Sequence, residues 1–382
     1  MRGGVINAYQ NPAELGELKM KVDVNLLSTS FTVSGNRVGF NDLFGNDYFD
    51  QVLLAGSQPV NMKINGVIIG PAVVFRIKDW GFGISSKVNV QANIINADPV
   101  LARAVTSTEI DNIMITPVNF SQNQRLSATT WGEISLGAGH KIFETETHRI
   151  NAGISLNLLF PGSYANIGIS ALNGTISNNA GNLRLNDASG NLNFAYSGPL
   201  SRTFESGSFA KNLFADLDGF SADIGFDYQY KQNGAYFVKA GLALKNLGSM
   251  KFSSDNNYET NYTLSVSDPN PNGGLDLNQF DGVESVEEAE DILLASGYLD
   301  QNEPTRSNFR VRLPALMNLY ADLRIIERFH TTVFLQHKLQ QDSDNDQVVS
   351  QNNFTLTPRY VTGFFEAYLP VSFSEYSNTA IG

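Results

Sequence analysis

The residues first tested for chemistry are the four histidines, His140, His148, His330 and His337. His330 and His337 fall in one strand-like run, but their odd separation places them on opposite faces, so they do not form a simple two-ligand metal site. No HExxH, GxSxG, GxxxxGK[ST] or GxGxxG motif occurs. The run Asp342-Ser343-Asp344-Asn345-Asp346 resembles the start of a calcium loop. That motif needs Gly at its sixth position and Glu at its twelfth, where this chain has Gln347 and Asn353. The run reads instead as a solvated loop tip, and Asp268 to Gly274 as turn chemistry. With no cysteine, there is no disulfide, zinc-thiolate site or cysteine nucleophile. An enzyme would need a nucleophile and a base converging on one place. The reading is a non-enzyme, with no catalytic residues, no metal and no cofactor.

The charged residues worth singling out sit elsewhere, in runs that alternate. Residues 222–245 place Ala222, Ile224, Phe226, Tyr228, Tyr230, Tyr236, Val238, Ala240, Leu242 and Leu244 in one set. Asp223, Gly225, Asp227, Gln229, Lys231, Lys239, Gly241, Ala243 and Lys245 form the other. Period 2 means strands, and Asn233-Gly234 supplies a hairpin turn. Further alternating runs cover 82–94, 132–142, 150–160 and 313–325, with other candidates at 20–33, 71–78, 163–172, 329–340, 353–360 and 363–373. Many reach the ~9–11 residues of a tilted membrane strand rather than the ~5–6 of an ordinary one. The polar face is Gly, Ser and Asn with isolated charges, which suits a lumen holding a plug or an approaching backbone. Asp223, Asp227, Lys239, Lys245, Asp322 and Arg324 are the lumen-facing candidates, able to pair across neighbouring strands. Tyr228, Tyr230 and Tyr236 flank a short turn, where aromatic girdles form.

Length and composition agree. The chain of 382 residues suits two domains or one large barrel, and only 17% of it is charged. The net charge of −12 argues against nucleic acid or anionic headgroups as partners. No apolar run reaches the ~18 residues of a membrane helix, so any membrane crossing must use a closed barrel. Turns at 78–80, 144–149 and 231–235 are short. The stretches 34–70, 95–125, 173–220, 246–308 and 341–352 are long and polar, the rim asymmetry of a barrel. Residues 97–112 suggest a short helix. Residues 281–298 form a stronger one, acidic in its first turns with a partial apolar stripe of Val283, Val286, Ile292 and Leu293. An extra hairpin lies within 173–197.

Asn11-Pro12-Ala13-Glu14-Leu15-Gly16 precedes the first strand. This segment resembles that of the long-chain fatty-acid transporter superfamily, in which an N-terminal segment lies in the lumen as a hatch. Together with VNLLSTSFTVSGNRVGFNDLF (24–44), GLALKNLGSMKF (241–252) and RLPALMNLYADLRI (312–325), the chain is similar to an uncharacterised barrel family of Bacteroidota outer membranes. The last of these runs is also similar to barrels associated with type IX secretion. The resemblance implies that residues 1–19 are a plug, with Asn11 and Pro12 in it, and that 20–382 are the barrel. Two departures stand out. No leader peptide is visible at the N-terminus, and the last residue is not aromatic. The expectation is a removed leader or a fragment lacking a closing strand or two.

The fold expected is an all-β, antiparallel transmembrane barrel of about 12–14 strands, with an N-terminal plug and long loops on one rim. The place is the outer membrane of a Gram-negative bacterium. The expected function is a passive channel or transporter for a small or apolar solute, with outer-membrane lipid around it and no nucleic acid partner. One alternative is a non-transporting scaffold whose loops and acidic helix bind a secretion-system or surface-protein partner. The other is a soluble secreted β-sandwich adhesin.

Overall fold

A computed structural model describes residues 4–37, 56–101, 114–179, 181–201, 213–214, 216–232, 235–253, 256–268, 270 and 273–381. The Asn233-Gly234 turn and most of the helix expected over 97–112 lie outside the described residues. The chain opens with α1 (Val5–Ala8) and a 3-10 segment, Pro12–Glu17, then β1 (Val22–Asn25), β2 (Ser28–Gly35), β3 (Val60–Ile77) and β4 (Trp80–Ala97). Next come β5 (Met114–Phe120), β6 (Gln124–Glu144), β7 (His148–Asn179), β8 (Asn182–Ser197), β9 (Gly219–Gln232) and β10 (Ala235–Phe252). The loop elements are β11 (Tyr258–Val266), β12 (Leu275–Asp276), a 3-10 turn Leu277–Phe280, α2 (Val286–Ser296) and β13 (Leu299–Gln301). The chain closes with β14 (Phe309–Arg312), β15 (Leu316–Ile326), β16 (Phe329–Lys338), β17 (Asn353–Val361), β18 (Glu366–Tyr368), β19 (Val371–Ser374) and β20 (Ser377–Ile381).

Every registered pairing of these strands is antiparallel. The wall runs from β1 and β2 on β3, through β4, β6, β7, β9 and β10, to β14 and β15, then β16, β17, β18 with β19, and β20. With β1/β2, β14/β15 and β18/β19 each counted once, the path has 12 wall positions, the lower end of the expected range. Strands extend further than their periodicity alone suggested. β3 begins at Val60 inside a stretch expected to be loop, and β10 runs on to Phe252.

The alternation sorts the two faces as a membrane barrel requires. Ile84, Leu136, Ile154, Ile224, Phe226 and Leu242 are exposed on the outside, while Asn89, Gln91, Asn151, Asn157, Asp227 and Gln229 are buried inside. In a soluble sandwich these assignments would be reversed. The short-turn rim carries rings: Trp80 stacks on His140 at 4.2 Å, His148 lies 2.8 Å from the Tyr228 hydroxyl, and Tyr360 lies near Phe365. Tyr236 departs from the expected face. The β9–β10 register shifts between Tyr236 and Val238, so the extra residue, Phe237, turns outward and Tyr236 turns into the lumen.

At the opposite rim the wall grows into a cap. β7 is 32 residues long, far more than a membrane crossing uses, and its distal part pairs with β5 and β8. β8 pairs in turn with β11 and β12, and β11 with β13. Here apolar side chains point inward, as in a soluble domain: Leu172, Leu185, Phe194, Tyr262, Leu264 and Leu293 share one core. α2 starts at Ser285, whose hydroxyl accepts from the Glu288 amide at 3.1 Å, and ends at Gly297 in the left-handed conformation. Its apolar residues Val286, Ala289 and Leu293 are buried in the cap's core.

Candidate functional site

The N-terminal segment lies within the barrel. Asn11, Ala13 and Glu14 are fully or almost fully buried although no strand includes them. The Asn11 amide donates to the Phe226 carbonyl at 2.9 Å and the Leu242 carbonyl at 3.4 Å, reaching β9 and β10 at once. Its Oδ1 caps the 3-10 segment by accepting from the Ala13 amide at 2.9 Å, and Pro12 occupies the first helical position, where no N–H is needed.

A curled backbone inside a barrel leaves carbonyls that water cannot readily reach, and each needs a donor. The wall supplies them. Lys245 donates to Tyr9 O, Asn318 to Gln10 O at 3.1 Å, Arg149 to Gly16 O at 2.9 Å and Arg76 to Leu18 O at 2.8 Å. These donors come from β10, β15, β7 and β3, so the hatch is held from several sides.

Close approach is made possible by wall glycines. A Cβ on Gly153 would overlap the backbone of Pro12, and one on Gly225 would overlap the Asn11 side chain. One on Gly139 would stand 2.6 Å from the Gly16 nitrogen and 2.7 Å from Leu15 Cβ. The glycines of the polar face are thus the seat of the hatch.

Charge locks the seat. Lys239 Nζ lies 2.6 Å from both Glu14 and Glu17, with Lys239 and Glu14 almost wholly buried. The Tyr320 hydroxyl also donates to Glu14. The expected pairing of lumen charges across neighbouring strands is met in part. Asp223 lies 3.9 Å from Lys245. Asp227, however, accepts from Asn151 at 2.7 Å, while Lys239 turns to the hatch. Asp322 pairs with Arg359 at 2.8 Å and accepts from Tyr236 at 2.9 Å. Arg324, in register with His330 near the short-turn rim, is half-buried and lies outside these clusters.

A loop supplies a second closure. The connection between β16 and β17, read as a solvated tip, folds into the barrel mouth: Gln347, Val348 and Val349 are buried. Arg125 is its clamp. Its guanidinium donates to Asp342 O and Asn345 O at 2.9 Å, Gln347 O at 3.1 Å and Asn166 Oδ1 at 3.0 Å. Nε and both Nη nitrogens of the planar fork donate, and carbonyl dipoles take the place of a carboxylate. Tyr164 donates to Asn345 O at 2.6 Å, and Lys63 to Val349 O. Among the described residues no group of His, Cys, Asp or Glu is arranged to hold a metal ion. The acidic run is held through its backbone carbonyls and through two carboxylates, Asp342 paired with Lys338 and Asp344 lying 2.8 Å from Arg312.

Between the two closures lies a cavity of about 400 Å³, with Tyr9 and Gln10 of the hatch on one side and Ser350 and Gln351 of the inward loop on the other. A cavity of about 750 Å³ lies outside the loop, against Asn123, Gln341 and Tyr376, and one of about 430 Å³ lies on the far side of the hatch, against Asp23 and Glu366. The cap holds a separate cavity of about 270 Å³ lined solely by apolar residues, among them Leu101, Leu185, Phe194 and Phe280.

A family model described as a family of unknown function (DUF5723) matches residues 12–382. The chain belongs to this family. The match takes in the hatch from Pro12 onward as well as the wall and cap. No curated protein matches the chain in sequence. Among solved structures it is similar to a mutant of TodX, a monoaromatic hydrocarbon channel. That likeness has 12% identity and a TM-score of 0.46, covering 98% of this chain and 79% of that one. It is also similar to the ferric yersiniabactin uptake receptor FyuA of Yersinia pestis, at 9% identity and a TM-score of 0.28, covering 91% of this chain and 42% of that one.

Proposed function

We propose that this protein is a passive outer-membrane transporter of a small solute, whose path is the lumen and whose gates are the hatch and the inward loop. The observation that carries the reading is the polar chamber of about 400 Å³ held between two closures built from separate parts of the chain. A scaffold needs a rigid wall and exposed loops. It has no use for a hatch held by hydrogen bonds and one buried lysine, which can be released without unfolding a strand. The exposed apolar belt supports a lipid surround, and α2 turns its apolar face to the cap rather than to a secretion or surface partner. The proposal assigns the chain no catalytic role.

A second reading, an apolar solute taken up at the cap, is favoured by the wholly apolar cavity there. Both are tested by flux into liposomes containing the purified full chain. Small solutes, polar and apolar, are compared in the wild type and in a variant with the hatch latch broken. Flux that rises in the variant supports transport through the lumen. Flux of neither class, in either protein, refutes transport and returns the scaffold reading.

A further inference from the structure

Both gates are held by wall cations that donate to backbone carbonyls: Lys245 to Tyr9 O of the hatch, Arg125 and Lys63 to carbonyls of the inward loop. At the loop this leaves positive charge uncompensated. Arg125 and Lys63 are 2% and 7% exposed, and among the described residues neither has a carboxylate within ion-pair distance. The loop carries three carboxylates, but they turn elsewhere. Asp342 takes Lys338 and the Tyr376 hydroxyl, Asp344 lies 2.8 Å from Arg312, and Asp346 faces Glu259 of the cap. An acidic loop thus meets two buried cations with its carbonyls and keeps its charges away from them. Further in, the chamber wall carries Lys63, Lys87 and Lys245 against Glu133, with Asp223 beside Lys245. The excess there is positive, in a chain whose net charge is −12.

A buried cation with only dipoles around it keeps much of its desolvation cost, and an oxyanion is its stronger partner. A carboxylate or phosphate brings a full charge and several lone pairs where a carbonyl brings a dipole. Four loop carbonyls cover these two cations, against the wall amides of Asn166 and Gln91, so the step that withdraws the loop also uncovers both cations. That step breaks no strand. The buried apolar residues of the loop are Val348 and Val349, and its freed carbonyls find water in the open mouth. Lys63 on β3 is in register with Asn93 on β4, itself in register with Ser127 on β6, two positions from Arg125. Two strand spacings place β3 and β6 roughly 10 Å apart, so the cations can be met in turn on the way from the outer cavity to the chamber. We infer that Arg125 and Lys63 form a recognition site for a small hydrophilic oxyanion, carboxylate or phosphate, which replaces the loop's carbonyls and so opens the outer gate. An apolar solute offers these cations nothing, and a cationic one is repelled by them. The inference rests on the reading of the lumen as the solute path, and names both the class of solute and the step that admits it.

The chain has two tryptophans, and Trp131 shares a buried cluster with Val348 of the loop. The variant W80F therefore leaves a reporter of loop position in the full-length protein. Its fluorescence is titrated with sodium succinate and with inorganic phosphate, against sodium chloride at equal ionic strength, xylitol as the neutral probe and toluene as the apolar one. The expected result is a saturable change with succinate or phosphate beyond that with chloride, and the two arms tell a carboxylate site from a phosphate site. Hydrogen exchange at the Val348 amide, bonded to Arg312 O at 2.9 Å in the seated loop, should quicken in step. An anion that binds only the open form should speed it about 100-fold at 100 times its dissociation constant. Lys63→Met and Arg125→Met should each loosen the loop without any anion and abolish the response to one, whereas Lys63→Arg, which keeps the charge, should keep the response. Heat-shifted gel migration reports that each variant's barrel is intact. If the cations serve structure alone, the Met variants loosen the loop but the wild type ignores both oxyanions, and the inference fails. A change no larger than that with chloride is screening and overturns it, as does a response to xylitol or toluene alone. Liposome flux keeps the two readings apart. Flux without an oxyanion response refutes the site and leaves transport standing, whereas an oxyanion response without flux refutes transport and leaves the site.

Discussion

Lys239→Ala removes the one cation that sits 2.6 Å from both Glu14 and Glu17. Removing one partner of a buried ion pair costs about 3–5 kcal/mol, because the charge left behind is stranded. Glu17 keeps some contact with water, its side chain being 11% exposed, so a lower value of about 2–4 kcal/mol suits this site. At 1.4 kcal/mol per tenfold, the released hatch should gain about 30- to 700-fold in population. The readout is amide hydrogen exchange at Ala13 and Glu14, whose N–H groups are bonded to Asn11 in the seated hatch. Lys239→Ala should lose protection there by about that factor while the strands of β9 and β10 keep theirs. The triple variant Lys239→Met, Glu14→Gln, Glu17→Gln carries no stranded charge and should recover most of the protection. Its amide at position 14 can still accept from Tyr320, and a neutral set needs no counter-ion. Wild-type protection in Lys239→Ala, or a triple variant as loose as the single one, would refute the latch.

The seat can be tested from the other side. Gly153→Ala combined with Gly225→Ala puts methyl groups into the backbone of Pro12 and the side chain of Asn11, and should unseat the hatch with heat-modifiable migration unchanged. Arg125→Met withdraws the donors from three carbonyls of the inward loop, and residues 342–349 should become open to protease while the hatch stays protected. Phe226 is 51% exposed on the outer face, so Phe226→Arg should lower the barrel's refolding stability in lipid vesicles by up to ~2–4 kcal/mol, and no loss would place that face away from lipid. In the cap, burial pushes the Glu290 carboxyl above its ordinary value of 4.5, against hydroxyls donated by Tyr262 and Tyr196. A raised carboxyl is most stabilising below the unfolded value and costs stability as pH climbs toward the folded one. Proteolysis of the cap should therefore increase with pH above about 4.5, and Glu290→Gln should flatten that rise.

The wall was legible because its two faces obey one rule along most of each strand. Ile224 and Phe226 alternate with Asp223, Gly225 and Asp227, and the structure keeps that order through β9 and again from Val238 to Leu244 in β10. The polar face also announced an occupant. Gly139, Gly153 and Gly225 have no reason to interrupt strands that need only water on their inner side, and each lies against the hatch. Tyr236 was misplaced because a bulge is a one-residue event: the shift at Phe237 inverts the face on which Tyr236 lies, and alternation carries no mark of where it falls. The partner of Lys239 was missed for a different reason. Glu14 lies 225 positions away and belongs to no strand, so a search for pairing between neighbouring strands does not meet it. The signal available was a buried lysine beside a single aspartate, with two glutamates waiting in the segment the glycines had made room for.

The inward loop shows where reading composition alone must fail. Asp342 to Asp346 is acidic and polar, the profile of a solvated tip, and the structure seats it in the mouth of the barrel without changing that profile. The reason is that a barrel lumen is itself a polar medium. A segment that folds into an apolar core must show its burial in side-chain hydrophobicity. A segment that folds into a lumen need only offer carbonyls to donors such as Arg125, Tyr164 and Lys63, and every residue offers a carbonyl. The legible sign is then on the wall. An arginine set among the Ser, Thr and Asn of an inward face, as Arg125 is among Ser127, Thr129 and Asn166, has no carboxylate beside it on the strand and so requires something to come to it.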